Sequence, residues 1–90
     1  MPHLIEQAIK STFNLQLLGT SGCHLCDIAE KLVRRVAPPL GAKILIVDIA
    51  DNDTLVDQYG MSIPVLISEQ NQVLCWPFDE QRLVHWLESL

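Results

Sequence analysis

Two cysteines stand two residues apart, Cys23 and Cys26, where the apolar stretch Leu15 to Gly19 gives way to an amphipathic one. A pair at this spacing reads as a dithiol that cycles with a disulfide. Only the thiolate attacks a disulfide. Cys23 falls at the N-terminus of a helix, where unpaired backbone N–H groups and the positive end of the dipole favour the anion. Its pKa is therefore expected below the ordinary thiol value. A protonated His24 would add to that effect; its plainer reading is a solvated first-turn residue. Cys26 lies one turn further on, nearer the apolar side, and is expected to be more buried with a higher pKa. The pair then divides labour, Cys23 attacking a substrate disulfide and Cys26 resolving the mixed disulfide that results. Zinc ligation is the rival reading, and it needs about four ligands. His24 sits between the two cysteines and cannot easily join them on one ion. Cys75, His3 and His85 lie far away without ligand-pair spacing. An iron–sulfur cluster shared between two chains is a further alternative.

These residues need a folded frame, and the composition supplies one. Ninety residues, 49% hydrophobic and 19% charged, fit one globular domain. The net charge of −5 argues against nucleic acid, whose binders carry a basic stripe. The acidic residues are scattered and serve solubility. No apolar run reaches the ~18 residues of a membrane span. Met1 to Lys10 lacks a basic region followed by an apolar one, so no secretory signal is expected. An odd count of three cysteines with no such signal points to the reducing cytoplasm.

Within residues 1–13, Leu4, Ile5, Ala8 and Ile9 recur at near-helical spacing, giving either a short helix or a loosely ordered terminus. Leu15 to Gly19 reads as a buried strand, and Thr20-Ser21-Gly22 as a loop with Ser21 or Gly22 near the N-cap. Leu25, Ile28, Ala29, Leu32, Val33 and Val36 then fall on one helical face. Asp27–Lys31 and Glu30–Arg34 are acid-before-base pairs on the other, and Pro38-Pro39 stops the helix. Lys43 to Ile49 reads as a second buried strand, so strand, helix, strand form a right-handed crossover with parallel strands. Asp51 can cap a short helix ending at Tyr59 and Gly60, with Leu55, Val56 and Tyr59 inward. Pro64 to Ser68 and Gln72 to Trp76 read as a hairpin across Glu69-Gln70-Asn71. The last helix starts at Asp79, with Phe78 and Leu83 at hydrophobic-staple spacing and Leu83, Trp86, Leu87 and Leu90 buried. Cys75 reads as a buried, inert thiol. His85 falls on the outer side of that helix, and Trp76 and Trp86 pack in the core or at its rim.

Three segments together resemble the thioredoxin-like superfamily, closest to its small bacterial glutaredoxin-like proteins. They are Ser21-Gly22-Cys23-His24-Leu25-Cys26-Asp27, Tyr59-Gly60-Met61-Ser62-Ile63-Pro64-Val65, and Trp76-Pro77-Phe78-Asp79 before a closing Leu- and Trp-containing helix. The resemblance covers roughly 14–90, with 1–13 as an N-terminal extension of a single domain over 1–90. It implies an α/β, thioredoxin-like fold of glutaredoxin type: a four-stranded mixed sheet flanked by helices, in the order (α)βαβαββα. It also implies a cis Ile63–Pro64 bond facing the dithiol. That arrangement exposes the backbone of Ile63 for strand-like pairing with a substrate, since Pro64 has no N–H to offer.

The chain also departs from the proteins it resembles. Thioredoxins carry Trp before the first cysteine and Gly-Pro between the two; here Gly22 precedes and His24-Leu25 intervene. Many glutaredoxins carry Gly-Gly before the last helix, which admits the backbone of glutathione, where this chain has Cys75-Trp76-Pro77-Phe78. No basic residue lies between Phe13 and Cys23. These departures argue against glutathione, while Asp79 stands near the position that contacts its amine. The expectation is a cytoplasmic thiol–disulfide oxidoreductase without a tightly bound cofactor, its redox group being the Cys23–Cys26 disulfide. Cys23 and Cys26 are catalytic, and Gly22, His24, Leu25, Ile63, Pro64, Val65 and Asp79 bind substrate. The partner is a disulfide-containing protein or a small thiol compound, and the domain is expected to act as a monomer, apart from membranes. Two readings compete: a binding module that kept the fold with a vestigial dithiol, and a metal or iron–sulfur carrier.

Overall fold

A computed structural model describes residues 12–90. The helix expected within 1–13 lies outside them, except that Phe13 opens the first strand. The elements run β1 (Phe13–Gly19), α1 (His24–Val36), a 3-10 turn (Pro38–Leu40), β2 (Ala42–Asp48), α2 (Asp53–Tyr59), β3 (Val65–Ser68), β4 (Val73–Cys75) and α3 (Glu80–Glu88). The strands form one mixed sheet in the order β2-β1-β3-β4. β1 and β2 are parallel, in register from Phe13↔Ala42 to Gly19↔Asp48. β3 runs antiparallel to both β1 and β4.

The pleat of β1 divides the core. Leu15 and Leu17 face one side with Leu66 and Leu74, where Ala29, Val33 and Val36 of α1 and Leu83 and Leu87 of α3 cover them. Leu18 and Val65 face the other side with Ile49, against Leu55 and Tyr59 of α2. This arrangement puts the C-terminal ends of β1 and β2, the start of α1 and the start of β3 at one end of the sheet.

Several expectations are corrected. The second strand is not buried: β2 is an outer strand, and Leu45 is 59% exposed. A β-branched run registers burial only if a neighbour lies beyond it, and none of the described strands does. On α1 the buried stripe is Cys26, Ala29, Val33 and Val36, whereas Leu25 and Ile28 stay 46% and 41% exposed. The apolar arc of the helix is wider than the sheet can cover, and these two residues fall at its rim. Val56 is exposed for the same reason, on a short helix with one covered side, and Leu90 is exposed because it lies past the end of α3. Glu30 and Arg34 pair at 2.9 Å, but Asp27 and Lys31 form no ion pair among the described residues. Asn52, not Asp51, caps α2, its Oδ1 accepting the Leu55 N–H at 3.0 Å. Asp79 caps α3 as expected from its type, accepting the Arg82 N–H at 2.8 Å.

Candidate functional site

The chain enters the site through a left-handed turn. Gly22 has φ +79°, a conformation that costs an L-residue a steric clash. The next residue, Cys23, is extended and is itself the N-cap of α1. That corrects the expected cap at Ser21 or Gly22: once Gly22 has turned the chain, the first side-chain acceptor facing the helix end is a sulfur. Cys23 Sγ accepts the Cys26 N–H at 3.2 Å. Cys23 N–H donates to the Thr20 carbonyl at 3.4 Å, which ties the loop to the helix start.

Cys23 and Cys26 are joined as a disulfide with Cα atoms 5.2 Å apart, within the usual range for such a bond. Their exposures differ as their places on the helix dictate. Cys23 is half-buried at the rim, and Cys26, on the core stripe of α1, is 7% exposed. His24 and Leu25 project outward from the first turn. Among the described residues, no three His, Cys, Asp or Glu side chains converge as metal ligands would.

The register brings a second segment, Ile63 to Val65, to the same end of the sheet. The β1–β3 ladder ends at Leu18↔Val65, so Gly19, which lies against Cys26, and Pro64 follow at that end. The Ile63–Pro64 bond is cis, as is Trp76–Pro77. Pro64 is buried and its carbonyl accepts the Trp76 N–H at 3.2 Å, which fixes the start of β3 to the end of β4. Ile63 is half-buried, and its N–H already donates to the Tyr59 carbonyl at 3.1 Å. Strand-like pairing there is left to the Ile63 carbonyl, a narrower offer than the sequence suggested. Val65 is wholly buried among Leu18 and Ile49, so its side chain lines no groove. The carboxylate of Asp79 is engaged as the α3 cap.

Two residues behave unlike their sequence reading. Cys75 is exposed, not buried. It pairs with Val65 and so faces the α2 side, but β4 is an outer strand beyond the reach of that short helix. Gly19, read only as the last strand residue, lies directly against Cys26. Its signal was a glycine ending an apolar strand just before the cysteine loop. Beside Cys26 opens a cleft of about 170 Å³, lined among others by Gly19, Asp27, Glu30 and Asp48. Trp76 and Phe78 meet edge to face with ring centres 5.0 Å apart, Phe78 buried in the core beneath α3 and Trp76 half-buried against it.

Residues 14–88 match a glutaredoxin-like domain family (DUF836). Protein XcR50 from X. campestris is similar over 84% of this chain and 97% of its own in its X-ray structure, with 34% identity and a TM-score of 0.77. Its solution structure gives a TM-score of 0.74 over 84% and 94% of the two chains, at 34% identity. Protein Ne2328 from Nitrosomonas europaea is 23% identical over 86% of this chain and 92% of its own, with a TM-score of 0.70, a likeness of fold. No curated protein matches the chain.

Proposed function

Because the chain belongs to the glutaredoxin-like domain family (DUF836), we propose that it is a thiol–disulfide oxidoreductase working through Cys23 and Cys26. The observation that carries this reading is the asymmetry of the bonded pair: Cys23 caps α1 at the rim while Cys26 is buried behind it.

In the reduced protein the backbone N–H groups and dipole at the start of α1 favour the Cys23 thiolate. It attacks one sulfur of a substrate disulfide; that S–S bond breaks and one half leaves as a thiolate. Cys26 then loses its proton to water and attacks Cys23 Sγ. The bond from Cys23 to the substrate breaks, the Cys23–Cys26 disulfide forms, and the second half leaves as a thiolate. Two electrons have passed to the substrate, and a dithiol reductant restores the pair. Gly22, His24, Leu25, Ile63 and Pro64 frame the point of attack. The substrate is a disulfide-bearing protein or small thiol compound. Cys75-Trp76-Pro77-Phe78 in place of the Gly-Gly pair of many glutaredoxins supports a reductant other than glutathione.

The test is trapping. Cys23→Ser should abolish turnover of a disulfide substrate. Cys26→Ser should accumulate a mixed disulfide on Cys23, seen as a mass increase that dithiothreitol removes. Cys23 should also alkylate faster at pH 6 than a free peptide cysteine; equal rates there would sink the activated-thiolate mechanism.

A further inference from the structure

A Cβ placed on Gly19 would lie 3.1 Å from both Cβ and Sγ of Cys26. Non-bonded carbon contacts settle at about 3.5–4.0 Å, so no side chain fits there without displacement. The backbone of Gly19 is not left-handed, as those of Gly22 and Gly41 are. Glycine is therefore favoured here by space and not by backbone conformation. Neither partner can retreat easily. Gly19 is held in the parallel ladder opposite Asp48, and its carbonyl accepts the Ile49 N–H at 2.9 Å. Cys26 is held by the helix whose next turns, Ala29 and Val33, are wholly buried.

We propose that Gly19 is a positioning residue of the exchange reaction, its missing side chain being the seat into which Cys26 Sγ closes when it bonds Cys23. This rests on the reading that the pair cycles. The contact with Cys26 Cβ is common to both redox states. The contact with Sγ is not, because a free thiol can turn about χ1 and a bonded sulfur cannot. The cleft beside Cys26 gives the free thiol somewhere to turn. Filling the seat therefore penalises the disulfide more than the dithiol. Residue 19 thus acts on the second step, where Cys26 attacks and the Cys23–substrate bond breaks, and on the equilibrium, while leaving the first attack by Cys23 alone.

The experiment uses the full chain with Cys75→Ser, since that exposed thiol would also react. Reduced protein is mixed with one equivalent of 5,5′-dithiobis(2-nitrobenzoate), whose first released thiolate reports attack by Cys23 and whose second reports resolution by Cys26. Gly19→Ala should leave the first phase within about twofold and slow the second about tenfold, the scale of core overpacking. In dithiothreitol redox buffers its equilibrium should shift about tenfold toward the dithiol, about 30 mV for a two-electron couple. Urea unfolding should show the oxidised variant losing more stability than the reduced one. Equal slowing of both phases, an unchanged equilibrium, or failure of the reduced variant to fold would each overturn the proposal. A parent protein that releases only one thiolate would instead sink the oxidoreductase reading itself.

Discussion

Gly22 turns the chain into the dithiol at φ +79°, and nothing lies within 4 Å of where its Cβ would be. Its role is thus purely conformational, in contrast to Gly19, where space decides. An L-alanine in the left-handed region costs about 1–2 kcal/mol, and asparagine tolerates it better. Gly22→Ala should lower the unfolding free energy of the oxidised protein by about 1 kcal/mol, and Gly22→Asn by less. Urea denaturation measures both. Equal losses for alanine and asparagine would point to a steric cause, against the open space around the residue. At this scale the sequence was most legible where one residue type has one physical use. The cysteine pair and Asp79 as a cap could both be assigned from type and spacing, whereas Gly22 was read near the cap and not as the left-handed turn before it. Cys75 could not, because a thiol suits either a buried or an exposed place and only the reach of α2 decides.

Elements were read well where period alone defines them and poorly where burial depends on a neighbour. α1 follows from its 3.6-residue stripe, and the hairpin from Glu69-Gln70-Asn71, where Asn71 takes φ +63° and its N–H donates to the Ser68 carbonyl at 3.0 Å. β2 shows what period cannot tell. Ala42 to Asp48 is as apolar as β1, yet β1 is sandwiched between two strands and β2 has only one. The same contrast separates leucines by energy. Leu83 is wholly buried where α3 meets α1 and the sheet, whereas Leu45 lies on the open side of β2. Leu83→Ala should cost about 2–5 kcal/mol of stability, as truncations in a packed core do. Leu45→Thr should stay within about 0.5 kcal/mol, the range of surface changes. Thermal and urea unfolding of the two variants give the comparison. A Leu45→Thr loss approaching that of Leu83→Ala would mean that the open side of β2 is covered in solution. The Arg35–Glu80 contact at 3.0 Å also joins α1 to α3, but both side chains are mostly exposed. The apolar residues beneath hold the two helices together.

Across the whole molecule the charge of −5 is unevenly placed. Asp48 sits opposite Gly19 at the dithiol end of the sheet, Asp27 lies in the first turn of α1, and Asp51 and Asp53 follow β2. Lys43 lies near the start of β2 at the opposite end, and Arg34 and Arg35 lie in the last turn of α1, paired with Glu30 and Glu80. The aspartate carboxylates put negative charge at the end of the sheet that a disulfide must approach to reach Cys23, and such charge changes association rates by an amount that salt screens. Cystamine and 3,3′-dithiodipropionate are short disulfides of opposite charge. With each rate divided by that of the same compound with dithiothreitol, the protein should favour cystamine by about threefold to tenfold at low salt. The preference should fade toward unity near about 0.5 M salt, where the screening length falls to a few ångströms. Asp48→Asn with Asp27→Asn should reduce it at low salt without unfolding the protein. An asparagine oxygen can still accept the Ala50 N–H that Asp48 now binds at 2.9 Å, so charge is removed and the turn is kept. A ratio near one at low salt, with both compounds reduced, would mean that these carboxylates lie too far from the attacking sulfur to be felt.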